Sequence, residues 1–227
     1  MELKEIAHIQ TGFSQKFGIP RQSGLVDEIG RIIFEPEFKN PNFVEGIMDY
    51  DYLWLLWGFS KNKTLEAATV RPPRLGGKKH MGVFATRAPY RPNNIGLSSV
   101  RLLSFEMDAK FGPVLEVSGV DMLDGTPIYD IKPYIPYADS HPDARGGFTD
   151  DLSRGRQVEV DFPEELLKKL PEDIRGSAVE LLQQDPRAGY DRGKAREFKV
   201  AYHGYDIVFS ATEKGLVVVD VKSLNIL

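Results

Sequence analysis

The sequence of 227 residues contains no cysteine. This excludes disulfide bonds, thiol nucleophiles and thiolate zinc sites. The four histidines are His8, His80, His141 and His203, and no two of them have the spacing of a short-range ligand pair such as H-x-x-x-H. We therefore expect no metal site in this protein.

A hydrophobic run of the length that a membrane-spanning helix needs is also absent. The first residues, MELKEIAHIQTGF, lack the basic start and apolar core of a secretory signal. The content of 41% hydrophobic and 27% charged residues is ordinary for a globular protein. We predict a cytoplasmic protein with no membrane partner.

Three widespread signatures of nucleotide binding and catalysis are missing as well. The chain has no G-x-G-x-x-G after a strand, no G-x-x-x-x-G-K-[ST] and no G-x-S-x-G. These absences argue against a Rossmann dinucleotide site, a P-loop and a nucleophile elbow. Any nucleotide-like cofactor is therefore expected to bind in another way.

Acidic residues are absent from one long basic segment, residues 71–101, which reads RPPRLGGKKHMGVFATRAPYRPNNIGLSSVR. The whole chain has 33 Asp and Glu and a net charge of −4, so about four or five acids would be expected in a segment of this length. An acid-free basic segment in an acidic protein indicates a local surface for an anionic partner.

Short strands separated by Gly- and Pro-rich turns dominate the first part of the chain, with no helical period between them. This pattern predicts an antiparallel barrel or sandwich. The apolar run DYLWLLWGFSK predicts a fully buried central strand. We predict a mainly β domain over 1–140, a polar Gly-rich linker over 141–157, and a smaller α+β domain over 158–227.

Two stiff loops carry the residues that are best suited to chemistry. RAPYRPNNIG presents Arg87, Arg91 and Asn93 around two prolines, and DMLDGTPIYDIKPY presents Asp124 at a turn before Asp130 and Lys132. Preset donors on a rigid loop favour a small charged ligand, because binding then loses little conformational entropy. The alternatives are a structural turn for the first loop and an ordinary hairpin, with Gly125 at its positive-φ position, for the second.

Six motifs together resemble one known family. They are PRQSGL, LWLLWGF, TVRPPRLGG, MGVFATRAPYRPNNIGLSSVRL, VDMLDGTPIYDIKPYIPYAD and QQDPRAGY. In order and spacing they are similar to the tRNA threonylcarbamoyladenosine-37 N6-methyltransferase family, also called the TrmO or TsaA-like family. The resemblance implies a β-barrel that binds S-adenosylmethionine without a Rossmann fold, a small α+β C-terminal domain, a homodimer, and methylation of N6 of threonylcarbamoyladenosine at position 37 of threonine tRNA.

The resemblance also implies a set of cofactor-binding residues, with two departures from the family pattern. The family often has a proline where this chain has Asn94, which suggests a less rigid loop, and often has His-Gln at positions 60 and 61. The implied cofactor-binding residues are Pro20, Arg21, Gln22, Ser60, Lys61, Arg87, Leu97, Leu123, Asp124, Gly125 and Thr126.

Methyl transfer to an N6 whose lone pair is delocalised would benefit from a base that removes its proton. Asp124 and Asp130 are the candidates, and Lys132 would balance their charge or bind a carboxylate or phosphate. An aromatic residue such as Tyr90 or Tyr134 would stack on the base. The expected tRNA-binding residues are Arg71, Arg74, Lys78, Lys79, Arg91 and Arg187.

Two other functions stay open on the sequence. A non-catalytic RNA-binding module would use the basic segment alone and would not bind S-adenosylmethionine. A methyltransferase of the same fold that acts on a small molecule would have no need of an acid-free basic segment.

Overall fold

The computed structural model describes residues 2–62, 68–72, 75, 77, 79–150, 157–187, 196–212 and 214–224. Its α-helices are α1 (Pro136–Asp139), α2 (Glu164–Leu167) and α3 (Glu172–Gln183). Short 3-10 helices cover Pro36–Phe38, Pro41–Val44, Ile47–Asp49, Val83–Ala85 and Gly147–Thr149. The strands are β1 (Ala7–Gln10), β2 (Ile29–Phe34), β3 (Tyr52–Gly58), β4 (Thr69–Val70), β5 (Met81–Gly82), β6 (Ile95–Asp108), β7 (Gly112–Ser118), β8 (Thr126–Pro133), β9 (Glu159–Asp161), β10 (Glu197–Tyr202), β11 (Tyr205–Ala211) and β12 (Gly215–Ser223).

Six strands pair in a closed ring with the order β1-β2-β7-β6-β3-β8. Every neighbouring pair in this ring is antiparallel, including β1 with β8, which completes the circle. Closure leaves none of the six with an unpaired strand edge. The mainly β class that the sequence predicts for this part of the chain is confirmed.

Alternate side chains of each strand fill the interior of the ring. On β3, Leu53, Leu55 and Trp57 are buried in the core, whereas Tyr52 and Trp54 point to the outer face. The prediction of a fully buried central strand is therefore wrong, because a ring encloses only one face of each strand. The apolar run is continuous because the outer face is also aromatic, with Trp54 and Tyr134 ring centroids 5.8 Å apart.

The C-terminal region forms a small α+β unit, as predicted. Its sheet has the order β10-β11-β12-β9, in which β9 runs parallel to β12 and the other pairs are antiparallel. Helix α3 packs Ile174, Ala178 and Leu181 into a second hydrophobic core. Phe13 and Val26, from the connection between β1 and β2, are buried in this same core, so the N-terminal chain contributes to both cores.

Two shorter stretches complete the description. The apolar segment MGVFAT has the composition of a short strand, but only Met81 and Gly82 pair with β4, and a 3-10 helix follows over Val83–Ala85. Residues 141–150 of the expected linker are mostly exposed, and the domain bounds themselves stay a prediction. Across the described ranges, no helix combines the length and apolarity that crossing a membrane would require.

Candidate functional site

Three connections meet at one end of the ring, here called the loop end. Because neighbouring strands are antiparallel, β1, β3 and β7 all run toward this end, and β2, β6 and β8 run away from it. The connections at the loop end are therefore residues 11–28, 59–94 and 119–125. Each of the three carries residues that the sequence assigns to the cofactor site.

The first and third connections are tied together around the Asp124 turn. The backbone N–H of Thr11 donates to Asp124 Oδ1 at 3.0 Å, and the N–H of Asp124 donates to the carbonyl of Phe13 at 2.9 Å. Gly125 has φ of +72°, which suits glycine. Thr126 closes the turn, since its hydroxyl donates to the carbonyl of Leu123 at 2.6 Å. Asp124 is exposed beyond this turn.

The first and second connections also meet at the loop end. Arg87 Nη1 donates to the side-chain carbonyl oxygen of Gln22, so two predicted cofactor residues from distant parts of the chain are in contact. Lys16 donates to the carbonyl of Lys61 and to the side chain of Asn62. Residues 60 and 61 therefore lie beside the first connection. Ser60 and Lys61 are exposed, whereas Pro20 of the first connection is buried.

Asp121 lies among these contacts, although the sequence analysis did not select it. Its Oδ1 accepts a hydrogen bond of 2.6 Å from the Ser98 hydroxyl, which itself accepts one of 2.9 Å from Trp57 Nε1. Burial raises the pKa of Asp121 to about 6, while the Ser98 hydrogen bond and the charge of Arg87 act in the opposite direction. A carboxyl group whose pKa is raised to about 6, among loops that carry the predicted cofactor residues, is a candidate functional group.

The raised pKa of Asp121 predicts a measurable dependence of stability on pH. Between its ordinary pKa of 3.8 and about 6, the folded protein keeps a proton that the unfolded chain has lost. Stability from this group is therefore greatest below pH 3.8 and declines as the pH rises to about 6. In urea titrations, the free energy of unfolding of the wild type relative to Asp121→Asn should fall by about 1 to 2 kcal/mol over this window. A constant difference between the two proteins would contradict the assignment.

A second group of predicted residues lies on the outer face of the ring. Leu97 is 54% exposed, and its β3 partner Leu56 also pairs with Asp130 of β8. Two strand spacings, roughly 10 Å, therefore separate the backbones of Leu97 and Asp130. Lys132 lies two residues along the same face, and its Nζ is 2.8 Å from Asp130 Oδ2.

This position bears on the interpretation of Asp130 and Lys132. Charges on an otherwise apolar, Pro-containing strand would need a partner or a functional use if they were buried, but both side chains are substantially exposed and pair with each other. A bulge in the pairing of β3 with β8, between Leu56 and Trp57, places them on the outer face. Their catalytic role stays a prediction, and within a single chain the structure does not bring them to the Asp124 turn.

The basic segment contributes several exposed groups to the loop end. Arg71 and Lys79 are exposed, and Arg71 Nε donates to His80 Nε2 at 2.9 Å. Arg91 is partly buried, and its Nη1 donates to the carbonyls of Val83 and Thr86 at 3.1 and 2.8 Å. The other two predicted tRNA contacts in this segment, Arg74 and Lys78, lie outside the described residues.

Arg187, which the sequence predicts to bind tRNA, is buried in the structure. It is only 6% exposed, and its guanidinium donates two hydrogen bonds to the Asp185 carboxylate, at 2.7 and 3.2 Å. A phosphate contact would require breaking this buried pair. The carbonyl of Arg187 instead accepts a 3.1 Å hydrogen bond from Arg21 Nη2, which links the first connection to the C-terminal unit.

Asn94 holds its loop by hydrogen bonds where the family often has proline. Its φ is +43°, a left-handed value that proline cannot adopt. Its side chain accepts from the N–H of Arg91 at 3.2 Å and donates to the carbonyl of Asn62 at 3.3 Å. These contacts run against the expectation that replacing proline would leave the loop less rigid.

One group of potential metal ligands lies away from the loop end. Ligand atoms of Glu5, His8 and Glu35 all fall within 4.8 Å of one another. His8 Nδ1 and Glu35 Oε1 are 2.9 Å apart and already form a hydrogen bond. The spacing of these residues along the sequence does not indicate a metal site, because only the pairing of β1 with β2 brings Glu35 next to Glu5 and His8.

Three residues with a structural or chemical role at the loop end were not selected from the sequence. Asp121 could have been noticed as an acid between Val120 and Met122, both of which are buried. Glu28 is only 1% exposed, but an acidic pair formed with Asp27 just before a strand is typical of a solvent-exposed turn and gives no comparable signal. Phe84 looks like a core residue in GVFAT, yet it is 78% exposed.

Comparison with known proteins places the chain in a family. The family model for the tRNA-methyltransferase O N-terminal domain matches residues 8–140, and that for the TrmO C-terminal domain matches residues 155–224. The chain belongs to the tRNA-methyltransferase O (TrmO) family. The resemblance seen in the six sequence motifs is therefore confirmed.

Similar TrmO-family proteins match along nearly the whole chain. The tRNA (adenine(37)-N6)-methyltransferase of Escherichia coli K12 is 34% identical over 226 residues, which cover 94% of each chain. A Pseudomonas aeruginosa relative, named provisionally as the S-adenosylmethionine-dependent methyltransferase RcsF, is 41% identical over 82% of each chain. A crystal structure of TrmO from Pseudomonas aeruginosa superposes with a TM-score of 0.78 at 32% identity, covering 98% of both chains.

Proposed function

We propose that this protein methylates N6 of threonylcarbamoyladenosine at position 37 of threonine tRNA and takes the methyl group from S-adenosylmethionine. Family membership and the names of the relatives support S-adenosylmethionine-dependent methylation of adenine 37. The observation that carries the proposal is the meeting of three connections at the loop end. There Gln22 contacts Arg87, and Asp124 contacts the first connection.

The loop end offers groups that match the charges of S-adenosylmethionine. The cofactor carries a carboxylate, an ammonium, a sulfonium and ribose hydroxyls. Arg87, exposed beside Gln22, would bind the carboxylate. Asp124 and Asp121 would accept hydrogen bonds from the ammonium or the hydroxyls, and the backbone of residues 123–126 would contact the remainder. Pro20, Arg21, Ser60 and Lys61 would complete the surrounding wall, mainly through backbone and packing contacts.

The reaction is an in-line displacement that leaves the protein mostly a positioning role. The N6 lone pair forms the new N–CH3 bond, the C–S bond breaks, and S-adenosylhomocysteine leaves with the sulfonium charge neutralised. The N6 proton passes to a base. Asp124 is the candidate at the loop end, since the Thr11 hydrogen bond to its Oδ1 holds the side chain in place and the residue is exposed. No metal is needed for this chemistry.

The basic segment would hold the anticodon stem-loop. Arg71 and Lys79 are exposed and would contact phosphates, together with Arg74 and Lys78. Arg91 would act from the rim of the same surface. Because position 37 lies in a loop, its base can leave the stack at moderate energetic cost.

Assembly and location complete the proposal. We assign the ring of six strands as a TsaA-like β-barrel within a domain over 1–140, and the protein as a cytoplasmic homodimer without a metal. The outer face of β3 and β6 exposes Tyr52 and Leu97 beside Asp130 and Lys132. A second copy packed on this face would bury the apolar side chains, and would allow Asp130 and Lys132 to serve a site shared between the copies.

Nucleoside mass spectrometry tests the proposed reaction. Bulk tRNA from cells that lack the protein should have lost N6-methyl-threonylcarbamoyladenosine, and the wild-type gene should restore it.

Arg87→Ala should lower kcat/KM on purified threonine tRNA on the order of 100-fold, because the cofactor is then misplaced. The matched control Arg145→Ala removes an exposed arginine outside the three connections and should retain activity.

Two further measurements distinguish this function from the other two functions that the sequence leaves open. Wild-type protein that binds tRNA but gives no heat on titration with S-adenosylmethionine would indicate a non-catalytic RNA-binding module. Equal activity on the free nucleoside and on tRNA would indicate a small-molecule methyltransferase.

A further inference from the structure

Phe84 is a large apolar side chain that the fold leaves in solvent. It is 78% exposed at the centre of the 3-10 helix Val83–Ala85, whereas the adjacent Val83 is buried. The helix lies in the connection between β3 and β6 at the loop end, and Phe84 stands three residues before Arg87. The turn that carries Phe84 is closed by two hydrogen bonds, because both the N–H and the hydroxyl of Thr86 donate to the carbonyl of Val83.

Arg91 lies against the Phe84 ring and is held there by the backbone. Its guanidinium carbon is 5.7 Å from the ring centroid, and its Nη1 donates to the carbonyls of Val83 and Thr86. Within the described part of the chain, no carboxylate pairs with Arg91. Its positive charge therefore stays available next to an exposed aromatic ring. We call these two side chains the Phe84–Arg91 platform.

A shallow cavity adjoins the platform. Its volume is about 230 Å³, and it is lined by Phe84, Arg91, Pro92, Asn93 and Ile95. An aromatic ring, a planar cation and amide groups around a concave surface match the requirements of a nucleobase, which stacks on its faces and forms hydrogen bonds at its edges. The absence of Asp and Glu from residues 71–101 favours an occupant that also carries phosphates.

We infer that the Phe84–Arg91 platform stacks an unpaired nucleobase of the tRNA anticodon loop, next to the adenosine that is methylated. The inference rests on the proposed function, since it takes tRNA as the substrate. Phe84 supplies the stacking surface, and Arg91 supplies a cation for the base or the neighbouring phosphate. Stacking on a ring does not depend on base identity, so the platform positions the loop and leaves the choice of tRNA to other contacts.

Binding of an anticodon stem-loop with 2-aminopurine at loop positions other than 37 tests the platform. Loss of one stacked base should weaken the affinity of Phe84→Ala for this RNA roughly 5- to 150-fold. The quenching of 2-aminopurine that wild-type protein produces should disappear, and Phe84→Tyr should restore both. Because no charge is removed, the dependence of the affinity on salt concentration should keep its slope. Affinity for S-adenosylmethionine, measured by calorimetry, should not change.

Tyr137→Ala is the matched control, because Tyr137 is 90% exposed on α1, which follows β8 at the opposite end of the ring. This variant should bind the RNA as the wild type does. Unchanged RNA affinity and quenching in Phe84→Ala would overturn the stacking role of the platform and leave the proposed function standing. The same conclusion would follow if sedimentation showed that the substitution separates copies of the chain and has no effect on RNA binding. Wild-type protein that binds no tRNA would overturn the proposed function together with the platform.

Discussion

Glu28→Ala is expected to lower the free energy of unfolding by about 3 to 5 kcal/mol, because it removes a buried carboxylate from a network of donors. Glu28 is 1% exposed. Its Oε1 accepts from the N–H of Gly12 at 2.7 Å, its carboxylate lies 3.1 Å from His203 Nε2, and Oε2 accepts from the Tyr202 hydroxyl. Burial, followed by the Glu28 charge, raises the pKa of Tyr202 above its ordinary value, so the hydroxyl remains a donor.

The consequences of removing Glu28 should reach the loop end, where we propose that the cofactor binds. Glu28 lies at the end of the first connection, and its carbonyl accepts from the N–H of Gly119 at 2.9 Å, at the start of the third. The same residue therefore joins two connections of the loop end to the C-terminal sheet. We expect Glu28→Gln, which keeps the volume and part of the hydrogen bonding, to lose less stability and to allow S-adenosylmethionine binding to be measured.

Denaturant titration with a matched surface variant checks the Glu28 prediction. Glu106 is an exposed carboxylate 2.6 Å from Arg31, and an exposed ion pair contributes less than about 1 kcal/mol. Glu106→Ala should therefore have a small effect. If Glu28→Ala unfolded at the same denaturant concentration as Glu106→Ala, the buried network would not stabilise the fold as described.

Gly96→Ala is expected to lower the free energy of unfolding by about 3 kcal/mol through overpacking inside the ring. A Cβ atom at Gly96 would lie 2.3 Å from Cε2 and 2.5 Å from Cζ2 of Trp57. The indole is buried, and its Nε1 donates to Ser98, which donates to Asp121. Displacing Trp57 would therefore disturb both the core and the hydrogen bonds that hold Asp121 at the loop end.

Gly82→Ala is the matched control for this prediction, because a Cβ atom there would meet nothing within 4 Å. The midpoints of thermal and denaturant unfolding of Gly82→Ala should be close to those of the wild type. Indole fluorescence should shift to longer wavelength in Gly96→Ala as Trp57 loses its buried position. A Gly96→Ala protein of wild-type stability would show that Trp57 can move without loss, contrary to the packing described here.

Most of the strand content could be predicted from the sequence, because period-2 patterns and Gly- and Pro-rich turns are local features. The strand-like segments IGLSSVRLLSFEM and PVLEVS become β6 and most of β7, and the helical period of EDIRGSAVELLQQD becomes α3. For β3, the local pattern did not indicate which face is buried. Its unbroken apolar run indicated burial on both faces, but the outer face carries Trp54 against Tyr134. Only the closure of the ring decides which face is enclosed.

For the candidate site, the loops could be predicted and their contacts could not. Arg87 and the Asp124 turn are recognisable by residue type and by rigidity. The contact of Gln22 with Arg87 joins residues 65 positions apart, and no local pattern encodes it. Arg187 had the residue type of a phosphate ligand, yet its pair with Asp185 is buried, and burial is a property of the packed structure.

The sequence by itself determined the family and the class of fold, and it indicated candidate residues for a sulfonium cofactor and an RNA, because these depend on residue types and their order. The tertiary structure decided which residues meet. The antiparallel ring brings three connections to one end, leaves Phe84 in solvent, buries Glu28 among hydrogen-bond donors, and places Asp121 where burial raises its pKa. The physical reason is that burial and charge pairing depend on contacts between residues distant in sequence.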